Sequence, residues 1–175
     1  MFGLAGWSGS GKTTLVRSLV PTLIRAGITV STVKHAHHNF DIDQPGKDSH
    51  THREAGAQEV LVSSAKRWAL IHEHRGAPEP TLDDLLRLIA PVDLVLVEGF
   101  KKNPHPKLEV WREATGKPPL WPDDPTILAV ASDGPITGLD RPLLALDDVP
   151  EIARFILTAV GLEDALVAKE AAWPS

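Results

Sequence analysis

Residues 2–14 read FGLAGWSGSGKTT: a short apolar run that stops at a glycine and continues as small residues ending in Lys-Thr-Thr. Four apolar residues, Phe2 to Ala5, suit a strand buried on both faces. Gly6-Trp7-Ser8-Gly9-Ser10-Gly11-Lys12-Thr13 fits the phosphate-binding pattern of glycine, four spacers, glycine, lysine and serine or threonine. The glycines let the backbone wrap tightly enough for its N–H groups to converge on phosphate oxygens. A helix opening near Lys12 adds unpaired N–H groups and the positive end of its dipole. Lys12 is placed to reach the β- and γ-phosphates, and the Thr13 hydroxyl to ligate Mg²⁺. A ligand-free glycine-rich turn is the alternative. The setting of the motif, between an apolar strand and an amphipathic helix, argues against it.

Outward from this stretch the chain alternates. Thr14 to Ala26 is expected to be helical, with Leu15, Leu19 and Leu23 on one face and Val16, Val20 and Ile24 widening it. Pro21 should kink or tighten it, and Gly27 ends it before a second apolar strand, Ile28 to Val33. Residues 34–47 lose all periodicity, which in a compact domain points to a functional or mobile loop. Asp48 or Ser49 can cap a short helix through Ala55. Glu59–Ser63 and Trp68–Ile71 read as a hairpin, and Thr81 with Asp84 as a capping box opening a helix to Ala90. Val92–Val97 is the cleanest buried strand. Leu108–Trp111 and Thr126–Ala131 are two more, and Asp147 or Asp148 caps a last helix, Pro150–Val160. This order predicts an α/β fold: a mostly parallel twisted sheet with helices on both faces and a site at the carboxyl ends of the strands. The expected organisation is one domain over residues 1–167 and a tail over 168–175.

Composition narrows the function. A length of 175 residues suits one ordinary domain. The absence of cysteine excludes a disulfide framework, a thiolate metal site and a cysteine nucleophile. A formal charge of -5 argues against general nucleic-acid binding, where phosphate neutralisation dominates affinity. No apolar run is long enough for a membrane span, and the first residues lack the basic region of a secretory signal. A soluble protein of a reducing compartment is expected.

Triphosphate chemistry also needs an acidic group for the metal or for water. Glu98, closing VDLVLVEG, is the best placed, because parallel strands deliver such residues to the phosphate edge. Asp93, at the other end of that strand, is better read as a capping or polar-satisfying group. Asp41, Asp43 and Asp48, on and just beyond the loop after the second strand, are rivals for metal or water contact, with an acidic loop surface as the plain alternative. His35, His37, His38, His50 and His52 crowd the same region. Their spacing matches no closed zinc site. Lys34, His35 and His37 are better read as donors to phosphate or to a second anionic ligand, beside a purely structural alternative. Lys47, Arg53, Lys101 and Lys102 can add positive charge. The Asn-Lys-x-Asp guanine motif is absent, but Asp133 follows a late strand, where its carboxylate could accept both guanine N–H groups.

GWSGSGKTTL at 6–15, VKHAHHNFDIDQPGKDS at 33–49, REAGA at 53–57, KRWALI at 66–71, LVEGFK at 96–101 and AVASD at 129–133 occur together and in order. This ordered set resembles the MobB family of molybdopterin-guanine dinucleotide biosynthesis adaptors, from the first residues to the final amphipathic helix. The resemblance implies a P-loop NTPase fold of the signal-recognition/MinD-like branch, GTP and Mg²⁺ as ligands, weak GTP hydrolysis, a homodimer and a cytoplasmic location. It implies an accessory role beside MobA, the nucleotidyltransferase that joins GMP to molybdopterin to make molybdenum guanine dinucleotide cofactor. Molybdopterin or the finished cofactor would be a further bound ligand.

Carried onto this sequence, Gly9, Ser10, Gly11, Lys12, Thr13 and Thr14 would hold the nucleotide. Thr13, Asp48 and Glu98 would serve the metal; Lys12, Asp48 and Glu98 would serve hydrolysis. Asp133 would read guanine, and the histidine loop would face the pterin phosphate. Two readings compete. An ATP-dependent small-molecule kinase would need an acceptor pocket and a closing element, for which Arg112 and Arg141 are isolated candidates. A nucleotide-controlled adaptor would need no functional hydrolysis. Residues 107–125, with Trp111, Leu120 and Trp121, are read as a dimerisation excursion, with local packing on the sheet as the alternative.

Overall fold

Phe2–Ala5 (β1) is buried at every position, because it lies inside a parallel sheet with a strand hydrogen-bonded on each side. The computed structural model describes residues 1–36 and 40–164; the expected tail lies outside the described residues, as does His37. The chain divides into two compact units, one of Met1–His35 with the chain from Ile89 onward, the other of Ala36–Leu88.

In the first unit β1 is followed by α1 (Lys12–Arg25), β2 (Val30–Lys34), β5 (Leu94–Glu98), β6 (Lys107–Val110), β7 (Ile127–Ser132), β8 (Leu143–Ala145) and α4 (Val149–Ala159). The second unit holds α2 (Asp48–Glu54), β3 (Glu59–Ser63), β4 (Trp68–His72) and α3 (Leu82–Leu86). The six strands of the first unit are ordered β2-β5-β1-β6-β7-β8, and every neighbouring pair is parallel. Strand order reverses direction around β1, so the loop leaving β1 opens at the crevice where such sheets bind ligands.

Alternation along the strands sorts the two faces. Phe2, Leu4, Leu94, Leu96, Leu108, Val110, Ala129 and Ala131 form one buried cluster with Leu15, Leu19 and Leu23 of α1 and Ile152, Ala153, Ile156 and Leu157 of α4. Burying a leucine-sized side chain contributes roughly 1.5–3 kcal/mol, so this layer supplies most of the drive for the unit. On the opposite face β6 presents Lys107 and Glu109, both fully buried. Lys107 Nζ donates to the Asn103 carbonyl at 2.7 Å and pairs with Asp124 at 3.3 Å. Glu109 accepts the backbone N–H groups of Leu120 at 2.9 Å and Trp121 at 2.8 Å. The excursion after β6 is thereby tied to its own sheet, and burial raises the Glu109 carboxyl above its ordinary pKa.

Element boundaries move for local reasons. α1 begins at Lys12, two residues before the expected start, because Gly11 adopts a left-handed conformation and forms its N-cap. The helix continues through Pro21. Ile28, expected in a strand, is used in the helix stop: Gly27 N–H donates to Ile24 O and Ile28 N–H to Leu23 O, the paired bonds of a Schellman turn. The Thr81–Asp84 capping box forms, but α3 ends at Leu86 rather than Ala90, well before Pro91 restricts its predecessor. β8 was not anticipated. Three residues are too few to show a period.

In the second unit β3 and β4 pair antiparallel, from Glu59↔His72 to Ser63↔Trp68. Leu61, Val62, Trp68 and Leu70 of this hairpin are exposed. Arg53 is pinned by Asp41 at 2.8 Å, Asp43 at 3.2 Å and Glu73 at 3.2 Å. These three acidic side chains draw Arg53 into a local ion-pair cluster. No helix among the described residues is long and apolar enough to cross a membrane.

Candidate nucleotide-binding site

The loop of residues 6–11 turns from β1 into α1 through three glycines at positive φ: Gly6 at 134°, Gly9 at 82° and Gly11 at 105°. Gly6 is required twice over, since a Cβ there would also collide with the Val110 carbonyl oxygen and Ser10 Oγ. Ser10 is buried, and its hydroxyl has no hydrogen-bond partner among the described residues. Lys12 Nζ folds back over the loop and donates to the carbonyls of Gly6 at 3.0 Å and Trp7 at 2.8 Å. Burial holds the Lys12 ammonium below its ordinary pKa; Glu98 opposes this, while Lys101 and Lys34 push the same way as burial.

Glu98 closes β5 and lies beside Leu4 of β1 and Lys34 of β2 in the parallel register. Its carboxylate pairs with Lys34 Nζ at 3.4 Å and accepts from Thr13 Oγ1 at 3.5 Å. The latter is at the outer limit of a hydrogen bond. Hydroxyl and carboxylate therefore meet at the first turn of α1, a hard-oxygen pair of the kind that holds Mg²⁺ and one of its waters when phosphates supply the remaining ligands. His35 donates its backbone N–H to Glu98 O at 2.9 Å, and its ring packs on Phe100 at 4.8 Å between centroids. Gly99, at φ 92°, allows this approach, because a Cβ there would strike His35 Cβ. Trp7 extends the loop outward: its indole N–H donates to Pro118 O at 2.7 Å, and Lys101 Nζ lies 4.4 Å from its ring centroid.

The structure thus brings Lys12, Thr13, Lys34, His35 and Glu98 to one strand-end edge. Asp48 opens α2 in the second unit, where its charge also suits the positive end of a helix. Asp93 lies at the far end of β5 and binds the Thr29 N–H at 2.8 Å and hydroxyl at 2.6 Å, the capping role its position suggested.

Beside the loop a cavity of about 700 Å³ opens between the start of α1 and the ends of β7 and β8. Gly11 and Thr14 border it on the loop side, Leu144 and Leu146 give it an apolar wall, and Asp133 and Arg112 bring charge to it. Arg112 Nε lies 3.5 Å from Asp133 Oδ2. Asp133 is where the sequence places a base reader; Arg112, which the sequence offers only as an isolated closing residue, stands beside it. Its position just past the end of β6 was the available signal, since this sheet gathers its polar groups at those ends.

A parallel sheet with a glycine loop between β1 and α1, a lysine lying on that loop and an acid closing an adjacent strand defines a P-loop NTPase fold. Residues 1–133 match the family model described as "MobB: Molybdopterin guanine dinucleotide synthesis protein B". The chain is 45% identical over 159 residues to the molybdopterin-guanine dinucleotide biosynthesis adapter protein of Haemophilus influenzae, covering 89% of this chain and 86% of that one. It is 41% identical over 160 residues to the Escherichia coli adapter protein, covering 90% and 91%. A crystal structure of a MobB homolog from Bacillus stearothermophilus superposes with a TM-score of 0.68 at 31% identity, covering 91% of this chain and 97% of that one. The chain belongs to the MobB family.

Proposed function

We propose that this protein is a GTP-binding adapter of molybdopterin-guanine dinucleotide biosynthesis, acting in the cytoplasm beside the nucleotidyltransferase MobA. The observation that carries the nucleotide part is the continuity of the site: the phosphate loop with Lys12 and Thr13 leads directly into a cavity bordered by Asp133. The adapter part is supported by the relatives, which are named for that role. In this reading Gly9 to Thr14 bind the triphosphate, Thr13 and Glu98 hold Mg²⁺ and a water, and Asp133 accepts the guanine N–H groups. Asp48 and the histidine loop, with His37, are assigned to metal or water contact and to the pterin phosphate respectively.

Slow hydrolysis fits the site. Glu98 shares its carboxylate with Lys34 and Thr13, so it is a weak general base for water. A homodimer is supported more by the exposed Leu61, Val62, Trp68 and Leu70 of the β3–β4 hairpin than by the excursion after β6, whose Leu120 and Trp121 amides are held by Glu109. The test is reconstitution. MobA, molybdopterin and Mg·GTP are combined with increasing amounts of this protein, and dinucleotide formation is followed. Wild-type protein should accelerate it and co-purify with MobA, and Lys12→Ala should not accelerate it. No acceleration and no association at any ratio would refute the adapter reading.

A further inference from the structure

Among the described residues lining the cavity beside the phosphate loop there is one cation, the Arg112 guanidinium, with the carboxylates of Asp133 and Asp147, and the geometry fixes how the guanidinium sits. A Cβ built on Gly11 would lie 3.5 Å from Arg112 Nη2 and 3.7 Å from both Cζ and Nε. A point almost equidistant from three atoms of one plane lies over its face, so the guanidinium lies flat against the loop. These are ordinary contact distances, so the guanidinium packs on the loop at van der Waals range, and it is the φ of 105° rather than crowding that calls for glycine at position 11. The Nε edge is directed toward Asp133 Oδ2 at 3.5 Å, outside good hydrogen-bond geometry, and Nε itself is buried without a hydrogen-bond partner among the described residues. The rest of the lining includes an aliphatic group, Leu143, Leu144, Leu146 and Val149, with Asp147 among them.

We infer that Arg112 is a specificity-determining clamp for the nucleotide base. This rests on the nucleotide-binding reading above and extends it from the phosphates to the purine. The chemistry is that of a flat aromatic ligand held between an aliphatic wall and a delocalised cation, with a carboxylate at its edge. An arginine plane stacks on an aromatic face and attracts its electrons. A lysine keeps the charge but has no plane to stack. Arg112 also keeps the Asp133 carboxylate at the rim of the cavity, where a ring presenting two N–H donors can take it over. A purine presenting an acceptor at that edge, as adenine does at N1, cannot. Arg112 therefore acts on two quantities, the contribution of the base to affinity and the preference for guanine.

Inorganic tripolyphosphate separates the clamp from the phosphate site, because it carries the phosphates without a base. Binding of Mg·GTP, Mg·ATP and Mg·tripolyphosphate is measured on wild type, Arg112→Lys and Arg112→Gln, with thermal unfolding as the check on folding. Both variants should lose roughly tenfold in GTP affinity and part of the GTP-over-ATP preference, with tripolyphosphate affinity changed by less than about twofold. Full GTP affinity in Arg112→Lys would overturn the clamp and leave Arg112 as a point charge. Equal losses for GTP and tripolyphosphate would overturn it in favour of a phosphate ligand. Wild type binding tripolyphosphate as tightly as GTP would remove the base site but leave the phosphate loop standing. Wild type binding none of the three would remove the nucleotide reading and the clamp with it.

Discussion

Glu98→Gln removes one negative charge from a site where Lys12, Lys34 and the Thr13 hydroxyl converge, and it should move two affinities in opposite directions. The structural cost is small. Lys34 Nζ lies 3.4 Å from the carboxylate, but the lysine side chain is 59% exposed. A bare pair at that separation is worth about 5 kcal/mol at an effective dielectric near 20, and exposure brings this to about 1 kcal/mol or less. The variant should therefore fold normally.

For metal-free GTP the carboxylate is a repulsive neighbour. Taking about 5 Å to the nearest phosphate charge, the repulsion is roughly 3 kcal/mol before screening and about 1 kcal/mol after it. Metal-free GTP should then bind Glu98→Gln about fivefold more tightly. With Mg²⁺ the sign reverses, because the carboxylate that orients the metal's water is gone; the enhancement by Mg²⁺ should fall about tenfold or more. Calorimetric titration with GTP, once in excess Mg²⁺ and once in chelator, reads both. A parallel fall in the two affinities, or an unchanged Mg²⁺ enhancement, would refute the placement of Glu98 at the metal.

Further outcomes follow from neighbouring groups. Lys12→Ala should lower triphosphate affinity by about a hundredfold, seen in the same titration, while changing unfolding free energy by less than about 1 kcal/mol, since its ammonium only bridges two loop carbonyls. Gly6→Ala should destabilise by more than about 2 kcal/mol in denaturant unfolding, because strain at φ 134° adds to collision with Val110 O; Gly9→Ala, with open space around it, should lose only about 1 kcal/mol. His105 is buried, and neither ring nitrogen has a hydrogen-bond partner among the described residues. Burial, aided by Lys107, lowers its pKa to about 4 from an ordinary 6.5. Between these values the unfolded chain takes up a proton that the folded one refuses, so stability is lost as the pH drops from 6.5 toward 4, by up to about 3 kcal/mol. Glu109, its pKa raised by burial, works in the opposite sense. The His105 contribution is therefore read as the difference between wild type and His105→Gln across pH 7 to 4; parallel curves would contradict it.

The parts of the protein legible in the sequence are those in which one local stretch carries the whole physical requirement. The glycine spacing at 6–11, the lysine after it and the leucine stripe of α1 need no partner to be recognised. Glu98 was legible because a buried strand ending in an acid puts that acid at a sheet edge. The parts that were not legible depend on what the chain meets after folding. β8 exists because Leu143–Ala145 lies along β7, and three residues leave no pattern of their own. Nothing in the sequence signals that buried Glu109, four residues before the turn of Glu113–Thr115, binds the backbone amides of Leu120 and Trp121. Arg53 reads as a positive charge in the sequence, and the three carboxylates that converge on it show only in the fold. Arg112 became informative only when Gly11 and Asp133, about a hundred residues and twenty residues away in the chain, were seen at the same cavity.

The central claim is that the phosphate loop and the Asp133 cavity form one guanine-nucleotide site. Its most direct test is equilibrium titration of nucleotide-free wild-type protein with GTP and ATP, each with and without Mg²⁺. The account predicts GTP binding at least about tenfold tighter than ATP, the value of one carboxylate at the cavity rim accepting two N–H groups, with both strengthened by Mg²⁺. Equal affinities, or a preference for ATP, would contradict it.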